Sequence, residues 1–343
     1  MNLAEIYYHC FLGNGLDAVL VGYSGAMVPE KVGVDRCVWY KSDRYYPEDK
    51  LVMVAGRFPL DKPLEHAQGS GWYEIAPLGR SWYEVFYQAQ RLEIISSDQH
   101  FDPRRGMLTT RVDFGPVQAT VQTWMHATRS LLVEKYEFSQ DVDFNAWMAP
   151  GIWQADGWDS DPFRSVQMDA EAAHGYYDLD ETQGEFFLHL EPARPGVLVD
   201  GAARGLRASG RTMIKVFSIL DNRQCDLRAG SFDELIAPGY AALLEEHLAF
   251  WQAYFSRSSV SIPDAQFQYL YDASMYHFKA AQNPASGGLP VNNLRRTWSS
   301  HIFWDSFFIQ QALLEANHTA EALESCRFFE RTAAAARRHA QEE

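Results

Sequence analysis

The feature that most constrains this chain is a change of hydrophobic period near Phe232. From Val32 to Val216, short runs with a two-residue period alternate with turn signals, the pattern of antiparallel strands rather than of strand–helix–strand units. Trp82-Tyr83-Glu84-Val85-Phe86-Tyr87 and the run from Val117 to Trp124 set aromatic and β-branched side chains against polar ones, as strands with one wetted face require. Leu131 to Phe138 is a third such run. Between the first two, Asp102-Pro103-Arg104-Arg105-Gly106 predicts a tight turn, because proline presets φ and glycine accepts the positive φ that closes it. Gly184, Gly201, Gly205 and Gly210 predict further turns.

Beyond Phe232 the spacing becomes three and four. Ala237 to Phe255 places Leu243, Leu244, Leu248, Trp251 and Phe255 on one helix face, with Pro238 in a first turn that tolerates its missing N–H. Asp264 is positioned to cap a second helix ending near Gln282, with Phe267, Leu270, Tyr271, Met275 and Phe278 along one side. The stretch Asn283 to Gly288 ends it. A loop through Arg296 leads to a third helix from Ser300 to Ala316, and a fourth begins at Thr319. At 343 residues the chain is longer than one core usually serves, since single cores stop growing near ~250–300 residues. The expected organisation is a multidomain β + α chain: a large antiparallel β-sandwich over residues 1–235, a helical linker over 236–262 and further helices over 263–343.

Composition narrows the partners. With 45 acidic and 30 basic residues the formal charge is -15, which repels phosphate backbones and anionic lipid, so neither nucleic acid nor membrane is expected. No stretch carries the ~20 apolar residues of a membrane span, and the amino terminus lacks a basic-then-apolar leader. Cys10, Cys37, Cys225 and Cys326 show neither metal-binding nor disulfide-framework spacing. Reduced thiols, a cytoplasmic location and the absence of metal or organic cofactor follow as expectations. Aromatic residues reach 14%, with ten Trp and seventeen Tyr, more flat rings than a core needs, and such rings are surfaces on which sugars stack.

Three short stretches, in order, carry a resemblance. Trp298 to Phe307, WSSHIFWDSF, resembles the loop-to-helix motif, histidine and then aromatic-Trp-Asp, of the family 65 glycoside hydrolases and disaccharide phosphorylases. Phe101 to Arg111, FDPRRGMLTTR, resembles that family's aspartate, turn, glycine, Leu-Thr-Arg strand, and Leu12-Gly13-Asn14-Gly15 resembles its glycine-rich opening. The family usually follows Trp-Asp with Thr-Glu, whereas this chain has Ser306-Phe307, which admits a neighbouring family of the same clan. The resemblance implies a large β-sandwich, a linker and an (α/α)6 barrel, here present only in its first helices. It also implies cleavage of an α-linked disaccharide with inversion, by hydrolysis or with inorganic phosphate as co-substrate, and a homodimer as the assembly to expect.

Inversion requires an acid to protonate the leaving oxygen and either a base for water or a bound phosphate. In the resembled family the acid is a glutamate well downstream of the Trp-Asp motif, and no residue here matches it, so the chain is expected to be inactive alone. The resemblance assigns Trp304 to stacking on a pyranose face, Asp305 to accepting bonds from two sugar hydroxyls, and His301, one turn earlier, to the same sugar. On residue types alone, Trp304 reads as core and Asp305 as a helix cap or the partner of Arg296. Arg295 and Arg296 read either as contacts to sugar or phosphate or as a surface ion pair. Asp102 and Arg111 read as fixing a turn, and His9, His126 and His174 as ordinary polar residues.

Two other classes compete with the enzyme: a non-catalytic carbohydrate-binding or scaffold protein, and a sandwich-type sugar isomerase, which would need a His/Glu pair such as Glu185 with His189. Arg327 to Glu343 reads as a helix stopped in mid-course, and the helical part is expected to expose an apolar face.

Overall fold

The computed structural model describes residues 10–15, 17–26, 39–41, 77–150, 165–169, 171–179, 182–221, 231–284, 287–289 and 306–342. Its strands are β1 (Cys10–Gly13), β2 (Asp17–Val21), β3 (Trp39–Lys41), β4 (Pro77–Tyr87), β5 (Gln90–Leu92), β6 (Ser96–Asp102) and β7 (Met107–Asp113). They continue with β8 (Gln118–Met125), β9 (Leu132–Pro150), β10 (Ser165–Met168), β11 (His174–Leu179), β12 (Thr182–Glu191), β13 (Arg194–Asp200) and β14 (Ala203–Asp221). The helices are α1 (Ser231–Ile236), α2 (Gly239–Phe255), α3 (Ala265–Ala281), α4 (Ser306–Glu315) and α5 (Thr319–Glu342).

Every described strand pairing is antiparallel. Two 19-residue strands, β9 and β14, organise the rest. The first half of β9 pairs with β8, from Met125↔Leu132 to Ala119↔Phe138, and its second half with β4, from Phe86↔Asp143 to Gly79↔Pro150. Along its other edge runs β14, whose register shifts between Gly210 and Thr212. That irregularity lets one pair of strands serve two stretches of sheet. Leu131 to Phe138 is thus the start of a strand that continues to Pro150.

Alternation then decides the two faces. Tyr136 and Phe138 of β9, Phe217 and Ile219 of β14, and Phe186 and Leu188 of β12 point into one large core. The opposite face, with Trp124, Leu131, Val133, Val216 and Leu220, is covered by Phe232 of α1 and Leu243 of α2. The face expected to be wet is dry where these helices lie on it. Of the predicted turn glycines, only Gly201 lies in a turn; Gly184 falls inside β12, and Gly205 and Gly210 fall inside β14, the latter at its register shift. A Cβ on Gly205 would stand 2.7 Å from the Trp147 ring, so close packing rather than chain reversal selects glycine there.

The last described strand ends at Asp221 and the first described helix starts at Ser231. The helix expected from Ala237 begins at Gly239, with Pro238 at its N-cap. Asp264 caps α3, accepting from the N–H groups of Gln266 and Phe267. The apolar stripe expected on α3 is only partly buried. Met275 is in the core, but Phe267 and Leu270 are 64% and 55% exposed. The helix is turned so that Asp272, Met275, Tyr276 and Ala280 meet the sheet. Among the described residues the five helices do not close a barrel, and no helix is long and apolar enough to cross a membrane.

Candidate functional site

Three places where the chain departs from plain sheet and helix meet around α3. The first is the glycine-rich opening. The Gly15 N–H donates to the Ala280 carbonyl at 2.7 Å, and the Gly13 N–H donates to the Tyr276 hydroxyl at 3.2 Å. Gly15 has φ +86°, and a Cβ there would lie 1.9 Å from the Gln282 carbonyl oxygen, so only glycine fits. Asn14 donates to the carbonyls of His126 and Arg129, and Asp17 accepts from the Ser130 hydroxyl. The motif docks the end of α3 onto the sheet.

The second is the turn at 102–106. Asp102 accepts from the N–H groups of Arg104 and Arg105, as a turn-fixing aspartate should, and Gly106 takes φ +56°. A Cβ on Gly106 would stand 2.4 Å from the Trp251 indole nitrogen, so the turn sits directly on α2. Arg104 adds a two-pronged bond to Asp272 of α3, at 2.9 and 3.0 Å, and the buried His247 of α2 donates to the Arg105 carbonyl at 2.8 Å. Arg111 is exposed on β7. Both sandwich motifs are therefore joints between sheet and helices.

The third is the connection from α3 to α4, which bears the histidine and Trp-Asp motif. Arg295, Arg296, His301, Trp304 and Asp305 lie outside the described residues. Both ends of the connection are held by one cluster: Ala281 of α3, Leu289, Leu313 of α4 and Ala322 of α5. Gln282 donates to the carbonyls of Gly287 and Glu321, and the Gly287 N–H donates to Asn283. At the far end Ser306 is buried at the first position of α4 while Phe307 and Phe308 are exposed. The described ends of this connection thus rest on one rigid patch, and connections held on a rigid scaffold are where binding side chains are usually carried. Glu321, buried on α5, tightens the patch. It accepts from Arg257 at 2.7 Å and from Lys279 at 3.1 Å, and although burial opposes its charge, these cations hold its carboxyl below the ordinary value.

The pair that an isomerase would need is not formed. Glu185 meets His174 at 3.2 Å and His189 meets Glu191 at 3.3 Å. Glu185 and His189 are four residues apart on a strand and so stand well separated along it. Among the described residues no group of three or more His, Cys, Asp or Glu is arranged to hold a metal ion. A polar feature that the sequence reading passed over is Lys215 opposite Glu134 across β14 and β9, both at 0% exposure and 2.6 Å apart. The Tyr136 hydroxyl also donates to Glu134. The available signal was a Glu in phase with Leu132, Tyr136 and Phe138, which alternation places on the core face.

No family model matches this sequence, and no curated protein does. Among solved structures, a human-microbiome protein assigned as a kojibiose phosphorylase superposes with a TM-score of 0.61 at 11% identity, over 92% of this chain and 45% of that one. A bacterial glucoamylase in complex with acarbose gives a TM-score of 0.49 at 13% identity, over 72% of this chain and 43% of the other. The first likeness shows a shared fold, an antiparallel sandwich with helices after it. The chain spans less than half the length of that structure.

Proposed function

We propose that this chain is the sandwich and helical entry of a carbohydrate-active enzyme, resembling the family 65 glycoside hydrolases, that cleaves α-glycosidic bonds with inversion by hydrolysis or phosphorolysis of a disaccharide. The observation that carries this reading is that a chain with the three motifs in family order also shares its fold with a protein assigned as a kojibiose phosphorylase. The proposed division is a sandwich over 1–235, a linker over 236–262 and the opening of an (α/α)6 barrel over 263–343.

In this reading the α3–α4 connection forms the subsite for the non-reducing sugar. Trp304 stacks on the pyranose face, Asp305 accepts from two neighbouring hydroxyls, and His301 and Arg296 complete the polar rim. None of these delivers the proton that the leaving oxygen needs. The general acid belongs to a part of the architecture that this chain does not span, so these residues bind and orient the ring. Phosphate, in a phosphorylase, is the second substrate rather than a cofactor. The proposed setting is cytoplasmic, with a homodimer as the assembly.

The test is to read the coding DNA beyond the Glu343 codon and assay the longest product on α-linked glucose disaccharides, with and without phosphate. Cleavage should appear, and Asp305→Ala should lower kcat/KM about 100-fold, the worth of two charge-assisted bonds. A stop codon at that point with sugar binding but no cleavage would replace the enzyme with a non-catalytic carbohydrate-binding protein.

A further inference from the structure

A cleft of about 310 Å³ opens where β1, β6 and β7 meet α3. Its α3 wall consists of Tyr269, Ala273 and His277, spaced four apart and therefore stacked along one helix face. The small Ala273 between two ring-bearing neighbours makes the hollow. Phe101 and Leu108, both buried, are its floor, and Phe11 faces His277 with ring centroids 5.3 Å apart. Gln99 is on the rim, its amide held by bonds to the Gly22 carbonyl at 2.9 Å and the Thr110 hydroxyl at 2.8 Å.

The lining contains no Asp, Glu, Lys or Arg. A charged ligand would lose its water without gaining a counter-charge. A wholly apolar ligand would strip water from the imidazole and the phenol and return no hydrogen bond. An uncharged molecule with one apolar face and a polar edge satisfies both conditions, and a volume near 300 Å³ suits one ring rather than a chain.

We propose that this cleft is an accessory site for a single uncharged pyranose, with Tyr269 as its stacking platform and His277 as its polar contact. The choice of ligand rests on the carbohydrate reading above; the site itself rests on its own lining. Affinity is weak, on the order of 1–10 mM, as suits one ring on an open surface.

Saturation-transfer NMR with glucose and with maltose tests it on the full chain. Transfer to the sugar ring protons is expected in the parent and in Asp305→Ala, and in the Asp305→Ala background, where the proposed subsite is weakened, at least about a five-fold further loss is expected on adding either Tyr269→Ala or Ala273→Phe, which remove the platform and fill the hollow. Tyr269 is 43% exposed, so its replacement leaves the core intact, and an unchanged thermal midpoint confirms folding. Absence of transfer from either sugar overturns the proposal. So does transfer that both cleft variants retain and Asp305→Ala abolishes, an outcome that leaves the proposed function standing. Cleft binding without any cleavage by the longest product would instead remove the enzyme and keep this site.

Discussion

Lys215 and Glu134 face each other inside the sheet with no solvent exposure, so burial raises the Glu134 carboxyl above and lowers the Lys215 amine below its ordinary value, while the charge of each opposes the other's shift. Such a pair adds little net stability, yet losing one partner strands the other as a buried charge. Lys215→Met is expected to lower the unfolding free energy by about 3–5 kcal/mol. Glu134→Gln combined with it should recover most of that loss, because the amide oxygen still accepts from Tyr136. Denaturant unfolding of the parent and the single and double variants measures the cycle. A cost below about 1 kcal/mol for the single variant would show that water reaches the pair.

Helix α2 lies on the sheet through two imidazoles that are not exposed at all, His247 from its own face and His126 from the end of β8. Burial pushes His126 down to about 4 and His247 to about 3. Glu246 of α2, 4.0 Å from His126, favours the charged form of that ring and Arg129 opposes it, while His126 opposes charge on His247 and the backbone of the Arg105–Gly106 turn favours it. An unfolded histidine titrates near ~6.5, so below that pH the unfolded chain binds protons that the folded chain refuses, and stability falls as pH falls. At up to about 1.4 kcal/mol per pH unit, each imidazole should remove about 2 kcal/mol between pH 6.5 and 4.5, a window above the range in which Glu246 itself protonates. His277 and His318 are also lowered by burial and add to the same slope, so His247→Gln should reduce it by one imidazole's share, up to about 1.4 kcal/mol per pH unit, in urea titrations at fixed pH; an unchanged slope would mean that His247 does not contribute to acid stability. Much of this joint was legible in the sequence: the helix, its Pro238 start and the Gly106 turn all follow from local rules. What alternation and helix spacing could not say is which stripe wins. Phe267 and Leu270 look like core on α3, but Asp272, held by Arg104, and Tyr276, held by Gly13, set the rotation of the helix. Those are contacts between residues more than 160 positions apart, beyond the reach of any local pattern. The Trp-Asp motif was legible only as a resemblance, and its side chains lie outside the described residues.

Across the whole molecule, apolar side chains are distributed unevenly. Ile95, Tyr176 and Val199 are the large apolar residues exposed on the described strands and their turns, while the helices expose Phe267, Leu270, Phe307, Phe308, Leu314, Leu323 and Phe329 as well as Tyr269. Scattered singly, such residues need no explanation, but concentrated in the helical part they make it adhesive. A formal charge of -15 opposes association, and salt screens that repulsion far more than it weakens apolar contact. The two effects give a sign that distinguishes them. Sedimentation velocity should show a weight-average mass that rises with protein concentration and rises further when salt goes from about 0.02 to 0.5 M, as the screening length drops from roughly 20 to 4 Å. Replacing Phe307 and Phe308 together by Ser should weaken self-association without lowering the thermal midpoint by more than a degree or two, because both rings already face outward. Association that weakens with salt would instead make it ionic, and a monodisperse monomer at high concentration in high salt would show that these rings do not drive self-association.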